Sequence, residues 1–103
     1  MSKLKKAVAK LGEINEGEII GIEVDNKQII IVKSSGRVYA LSRYCSHEDA
    51  DLATGFLTED RVVCPLHLSQ FDLADGKPLS PPATEPLKSY PVEVVGDDIF
   101  LDI

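Results

Sequence analysis

Every cysteine and every histidine of this chain lies in one of two short motifs, and no other feature constrains the fold as strongly. The motif C-S-H occupies residues 45–47 and the motif C-P-L-H occupies residues 64–67, with sixteen residues between them. Together they offer two thiolates and two imidazoles, in two matched pairs, among 103 residues. A fold that uses this pattern must bring two loops together around one site.

Both motifs are placed to lie in loops. The run R-V-V at 61–63 predicts a strand that delivers Cys64 to its end. The proline that follows turns the chain, so that His67 can reach the same site. Cys45 and His47 are two residues apart, which puts them on one side of an extended segment. Each loop then supplies one thiolate and one imidazole, and the ligands clamp the two loops together.

Four interpretations of these residues compete. Zinc accepts two Cys and two His in a structural site, but zinc fingers arrange cysteines and histidines as separate pairs. A catalytic Cys–His pair is possible, although it does not need a second matched pair. The cysteines could also be buried small hydrophobic residues and the histidines polar fillers. A [2Fe–2S] cluster in which two His replace two Cys on one iron uses all four residues, and the pattern favours it.

Length and composition indicate one globular domain. The chain has 103 residues, of which 44% are hydrophobic and 27% charged. It contains no apolar run of the roughly 20 residues that a membrane span needs, and its N-terminus lacks the features of a signal peptide. We therefore expect a cytoplasmic protein whose two cysteines serve as metal ligands or in catalysis, not as a disulfide.

The charge distribution excludes nucleic acid as a partner. The formal net charge is −6, and residues 11–103 carry seven basic and 17 acidic side chains. Such a surface repels phosphate backbones. It suits electrostatically steered encounter with a basic protein, and it also serves solubility alone, so both interpretations stay open.

The rest of the sequence has the pattern of an all-β protein. The turns are predicted at 25–27, 34–36 and 96–98, because Gly, Asn and Asp tolerate positive φ. No helix is expected beyond one short turn within 48–58. Strands with turn signals between them indicate a sandwich or barrel. The predicted strands are 6–11, 19–24, 28–33, 38–42, 61–64, 69–72, 89–95 and 99–103.

The middle of the chain differs from its ends. Residues 43–83 have weaker strand periodicity and contain all four candidate ligands. We expect a loop-built subdomain there, inserted into a base domain formed by residues 1–42 and 84–103. Pro81-Pro82 predicts a stiff loop, either as a cover over the site or as a plain surface connection.

These residues carry a resemblance to a known family. The sequence resembles a Rieske-type ferredoxin, similar to the ferredoxin components of aromatic-ring dioxygenase systems, most strongly over 45–72 and on through 79–86. The resemblance implies an all-β fold with a sandwich or partly open barrel as the base and an inserted cluster-binding subdomain. It also implies one [2Fe–2S] cluster per chain, with Cys45 and Cys64 on the inner iron and His47 and His67 on the outer iron.

The function that the resemblance implies is electron transfer without bond chemistry. The chain would accept one electron at a time from a flavin-dependent NAD(P)H reductase and pass it to a terminal Rieske non-haem iron oxygenase. It would not be an enzyme, and neither nucleic acid nor a membrane would be a partner. A Rieske-like small subunit of a larger enzyme, of the nitrite-reductase type, is one alternative. A zinc-stabilised binding module without a redox role is another.

The chain departs from parts of the family pattern. Ala50 and Leu66 stand about where Rieske subunits of cytochrome bc-type complexes have two additional, disulfide-forming cysteines. Ser69 is predicted to tune the reduction potential by a hydrogen bond to the cluster, whereas Phe71 stands where high-potential relatives have Tyr. Leu68 occupies a position that is commonly Gly, which affects the expected conformation of this loop.

Overall fold

The computed structural model describes residues 7–44, 50–65, 68–79 and 85–102. In these residues ten strands form three antiparallel sheets, as expected for an all-β protein. Two single turns of 3₁₀ helix, Leu11–Glu13 and Leu52–Thr54, are also present. The strands are β1 (Ala7–Lys10), β2 (Ile19–Val24), β3 (Lys27–Ser34), β4 (Arg37–Ser42), β5 (Phe56–Thr58), β6 (Arg61–Val63), β7 (Gln70–Asp72), β8 (Ser89–Tyr90), β9 (Val92–Val95) and β10 (Asp98–Leu101).

The first sheet has the strand order β2-β3-β4-β8 and contains two tight hairpins. The β2–β3 turn has positive φ at Asp25 and Asn26, and the β3–β4 turn has positive φ at Ser35 and Gly36. Residues of this kind tolerate the left-handed region that two-residue hairpins require. The predictions for these strands and turns are confirmed to within one or two residues.

Strand β3 is shared by two hydrophobic cores. Ile30 and Val32 face the first core, whereas Ile29 and Ile31 face the second, and all four side chains are fully buried. Successive side chains of a strand point to opposite faces, so a strand buried on both faces has a continuous apolar sequence. The run I-I-I-V at 29–32 is that sequence.

The second sheet joins the two ends of the described chain in the order β1-β10-β9. Ile99 and Leu101 of β10 contribute to the second core, together with Ile29 and Ile31 from β3. The predicted strand 89–95 is wrong as a single element. It divides at Pro91 into β8, which pairs with β4, and β9, which pairs with β10. Proline lacks the N–H that a central strand needs, and the chain changes sheets there.

The third sheet, β5-β6-β7, lies within the middle of the chain. Val62 and Phe71 from this sheet pack with Ile30, Val32 and Leu41 of the first sheet. Strand β5 was not predicted. The short turn expected within 48–58 is present as the 3₁₀ turn at 52–54. Among the described residues, no helix is long and apolar enough to cross a membrane.

We expect Gly76→Ala to destabilise the fold by about 3 kcal/mol, the sum of a left-handed backbone penalty and overpacking. Gly76 has φ +75, and a methyl group on it would lie 2.2 Å from the carbonyl oxygen of Leu87. Gly36→Ala is the matched control, because Gly36 has φ +77 with open space around it. That substitution should cost only about 1 kcal/mol. Urea unfolding of both variants checks the difference, and equal losses would contradict the clash.

Candidate metal centre

Cys64 follows β6 directly and is buried in the first core. It is 1% exposed and packs in one cluster with Val62, Phe71 and Leu73. Cys45, His47 and His67, the other three candidate ligands, lie outside the described residues. In the described parts of the chain, no three His, Cys, Asp or Glu side chains stand together as a metal site would require.

The loop after Cys64 is closed by its own backbone. The Cys64 N–H donates to the Ser69 carbonyl at 2.8 Å, and the Leu68 N–H donates to the Cys64 carbonyl at 3.1 Å. These two hydrogen bonds hold the ends of the segment that carries His67. Ser69 is fully buried, and its predicted role in tuning the reduction potential stays a prediction.

Leu68 adopts the conformation that a glycine would take at its position. Its φ is +59, and its side chain is 60% exposed. A leucine in the left-handed region carries a backbone cost of roughly 1–2 kcal/mol. Leu68 therefore keeps a glycine-like backbone conformation and adds an exposed apolar side chain at the residue that follows His67 in the sequence.

The loop between Tyr44 and Asp51, called the first ligand loop, carries the first motif. Its two ends are also held together. Tyr44 and Asp51 form an isolated antiparallel bridge, and the Leu52 N–H donates to the Arg43 carbonyl at 2.8 Å. The Arg43 guanidinium reaches across the same gap. Its Nε donates to Asp51 Oδ1 at 2.9 Å, and its Nη2 donates to Asp51 Oδ2 at 3.0 Å.

This pair fixes the charge of Asp51. The side-chain hydrogen bonds from Arg43 lower the pKa of Asp51, with a further contribution from the Ala53 N–H, and outweigh the opposing effect of burial. The hydrogen bonds to Asp51 raise the pKa of Arg43 in turn. Both groups are therefore charged at neutral pH, and the two-pronged geometry is the strong form of an Arg–carboxylate contact.

A short segment connects the first loop to the strand that precedes Cys64. Asp51 Oδ1 accepts a hydrogen bond from the Ala53 N–H at 2.9 Å and caps the 3₁₀ turn at 52–54. Gly55 then approaches β6 so closely that a methyl group on it would lie 2.2 Å from the Val63 carbonyl oxygen. The segment 51–55 therefore links the end of one ligand loop to the start of the other.

A third segment runs beside this region. The Leu79 N–H donates to the Gln70 carbonyl at 2.7 Å, and Pro78 forms a bridge with Phe71. The chain from 76 to 79 thereby runs along β7 toward the loop between Cys64 and Ser69, which is called the second ligand loop. The predicted stiff loop at Pro81-Pro82 lies outside the described residues.

The described residues fit a [2Fe–2S] cluster. A buried thiol stands at a strand end, at the start of a closed loop that carries a histidine. Its apolar surroundings disfavour a bare thiolate, so a thiolate at this position requires a metal to neutralise its charge. Sequence reasoning missed Arg43 and Gly55, and it considered Asp51 as part of an acidic loop beside His47 without connecting it to Arg43. Arg43 and Asp51 flank the first motif with opposite charges, which was an available signal, whereas nothing in the sequence pointed to Gly55.

Comparison with known proteins gives a consistent result. A model of the Rieske [2Fe–2S] domain family matches residues 5–91, which include both motifs. The ferredoxin component of the naphthalene 1,2-dioxygenase system of Pseudomonas aeruginosa is 36% identical over 93 residues, covering 90% of this chain and 89% of that protein.

Solved structures show the same similarity in three dimensions. The ferredoxin of carbazole 1,9a-dioxygenase from Nocardioides aromaticivorans superposes with a TM-score of 0.89 at 33% identity, covering 93% of this chain and 94% of that one. A ferredoxin in complex with the oxygenase of carbazole 1,9a-dioxygenase gives 0.87 at 28% identity, with 93% and 99% covered. A nitrite reductase small subunit from Mycobacterium tuberculosis shares the fold, with a TM-score of 0.82 at 20% identity and 93% and 91% covered.

Proposed function

The chain belongs to the Rieske [2Fe–2S] domain family, and we propose on that premise that it is the ferredoxin component of an aromatic-ring dioxygenase system. A Rieske domain holds one [2Fe–2S] cluster. Because the relatives that match this chain over most of its length are ferredoxin components, the chain is an electron carrier and not a catalytic enzyme. One observation carries the proposal: the chain is 36% identical to a naphthalene dioxygenase ferredoxin component over 90% of its own length and 89% of that protein's length.

The proposed ligands are Cys45 and Cys64 on one iron, and His47 and His67 on the other. When bound, the cluster supplies one-electron redox chemistry, and two neutral imidazoles in place of thiolates raise its potential into a range of about −150 to +300 mV. Cys64 supports this division of ligands because its buried position suits the inner iron. All four candidate side chains are used in this way, which leaves no position for a substrate.

The surrounding residues keep the inner side of the site dry and fixed. The first core packs around Cys64, and the two backbone hydrogen bonds between Cys64, Leu68 and Ser69 hold the second loop. A rigid, apolar setting limits rearrangement when the charge of the site changes by one electron. Fast electron exchange benefits from such a setting, because little solvent or protein has to reorganise.

For the partners, a terminal Rieske non-haem iron oxygenase is the proposed electron acceptor. The support is the solved complex of a related ferredoxin with an oxygenase. A flavin-dependent NAD(P)H ferredoxin reductase is the proposed donor. The acidic surface, with 17 acidic and 11 basic side chains, suits encounter with basic surfaces on both.

The alternatives receive less support. The nitrite reductase small subunit shares 20% identity, so the likeness extends to the fold alone. The zinc-stabilised module receives less support because the family that the chain matches is described as a [2Fe–2S] domain family. Residence in the cytoplasm stays a prediction, supported by the assignment of both cysteines as ligands and testable by cell fractionation.

We also propose the two-part organisation expected from the sequence. Among the strands of the described residues, those of the third sheet all lie within 43–83, and those of the other two sheets all lie within 1–42 and 84–103. The first core, which contains Cys64, joins the two parts.

Electron paramagnetic resonance tests the proposed function. The protein is purified anaerobically, reduced with dithionite and measured at low temperature. The expected result is a rhombic signal with an average g below the free-electron value and below that of an all-cysteine [2Fe–2S] cluster. A silent sample that contains zinc would overturn the proposal. Reduction by NADH through a flavin reductase, and reoxidation by a dioxygenase, then test the partners.

Ser69→Ala is expected to lower the reduction potential by about 40 mV. The estimate converts one hydrogen bond of about 1 kcal/mol, lost from the reduced state, for a one-electron couple. Protein-film voltammetry measures the shift. Ser34→Ala is the matched control, because Ser34 is also a buried serine but lies on β3 at the hairpin turn. An unchanged potential in Ser69→Ala would remove the proposed role of this hydroxyl.

A further inference from the structure

We propose that Arg43 and Asp51 are a positioning pair that sets the separation of the two ligand loops and thereby the reduction potential of the cluster. The inference rests on the proposed function, since it assumes that both loops hold one cluster. Arg43 immediately precedes the first loop's bridge residue, and Asp51 is the bridge partner on the far side. The pair therefore stands at the base of the loop that carries Cys45 and His47.

The first sheet contacts Arg43 on two sides. Its Nη1 donates to the side-chain oxygen of Gln28 at 3.1 Å, and its backbone N–H donates to the Gln28 carbonyl at 3.0 Å. On the other side lies Gly21 of β2. A methyl group on Gly21 would lie 2.7 Å from Arg43 Cζ, so the absence of a side chain there makes room for the guanidinium. Contacts from β2 and β3 of the first sheet thus fix the position of the Arg43 side chain.

Asp51 connects Arg43 to the second loop through a series of contacts. Its carboxylate binds Arg43 through both oxygens and also caps the 3₁₀ turn at 52–54. Leu52 of that turn is fully buried in the same core as Cys64. Gly55, at the end of the turn, abuts the Val63 carbonyl, one residue before Cys64. A shift of Asp51 would therefore move the two loops relative to each other.

Closure of the first loop does not depend on this pair. The Leu52–Arg43 backbone hydrogen bond and the Tyr44–Asp51 bridge already join the loop ends. The two side chains are 26% and 30% exposed, and ion pairs at such sites contribute little to stability. The pair adds orientation, because a planar guanidinium that binds both carboxylate oxygens fixes their relative direction. Its loss should therefore change the site more than the fold.

Three substitutions test the proposal on the cluster-loaded protein. Asp51→Asn removes the charge, Arg43→Lys keeps the charge but loses the two-pronged contact, and Gly21→Ala displaces the guanidinium without altering either loop. We expect all three to shift the g values and the reduction potential in the same direction, and to release iron to a chelator about tenfold faster. Unfolding midpoints in urea should change little.

The matched control is the exposed ion pair of Lys10 and Asp98, whose atoms are 2.8 Å apart in the second sheet. Asp98→Asn should leave the g values, the potential and iron release unchanged. The proposal is overturned if Gly21→Ala and Arg43→Lys keep the wild-type g values and potential, or if Asp98→Asn reproduces their effect. A wild-type protein without a Rieske signal would instead overturn the proposed function, so the two failures are distinguishable. If Asp51→Asn does not fold, Gly21→Ala and Arg43→Lys decide the question.

Discussion

Replacement of His67 by alanine is expected to abolish the Rieske signal completely. The proposed site uses four protein ligands, and a lost imidazole leaves one iron with an open position that water or another donor fills. Metal binding also contributes folding free energy, so the loop that Cys64 and Ser69 close should become less stable. His47→Ala should have the same effect. Visible absorption, electron paramagnetic resonance and iron content measure the loss.

A neighbouring substitution provides the control for this experiment. Leu68→Ala alters the same loop next to His67 but removes only an exposed apolar side chain. It should retain full iron content and an unchanged signal. If His67→Ala keeps a normal cluster, then His67 is not an essential ligand and the paired-motif interpretation of the second loop is wrong.

Gly55→Ala is expected to destabilise the protein by about 3 kcal/mol, at the upper end of overpacking effects, and to lower its iron content. The added methyl group would lie 2.2 Å from the Val63 carbonyl and 3.3 Å from the Pro65 ring. A backbone oxygen in a paired strand cannot yield as a flexible side chain does. The strand before Cys64, or the turn before Gly55, must therefore move.

Gly12→Ala is the matched control for Gly55→Ala. Neither glycine has a positive φ, and the nearest atom to a methyl group on Gly12 is a carboxylate oxygen of Asp97 at an ordinary 3.8 Å. Urea unfolding and iron analysis of the two variants isolate the effect of the close contact. If Gly55→Ala unfolds at the wild-type midpoint with full iron content, the segment 51–55 does not constrain the second loop.

Much of the fold could be predicted because its signals are local. The hairpins at 25–26 and 35–36 combine Ile- and Val-rich strands with residues that tolerate positive φ. Strand β5 was missed because it has three residues and because its turn begins at Glu59, a residue with no turn preference that nevertheless has φ +54. Pro91 was visible in the sequence, but its transfer of the chain between two sheets depends on tertiary pairing.

The residues of the candidate site also fall into those that the sequence predicts and those that it does not. The four proposed ligands came from composition and spacing, and they stay a prediction because three of them lie outside the described residues. The supporting residues could not be found in that manner. Gly21 and Arg43 are distant in sequence and meet only because β2 and β3 pair and Arg43 follows β4. A contact between residues so far apart in the sequence leaves no periodic pattern from which it could be predicted.

Because β3 lines two cores, the structure predicts which part of the protein stays folded when the iron is lost. One face of this strand lines the core that contains Cys64, whereas the other face lines a second core, shared with Ile99 and Leu101 of β10, to which the described candidate ligand Cys64 does not belong. Local opening around an empty site would expose the first core and leave the second intact, with the β3 amides still protected from hydrogen exchange. An iron-free chain would then keep a folded platform, and reassembly of the cluster would not require the whole chain to refold.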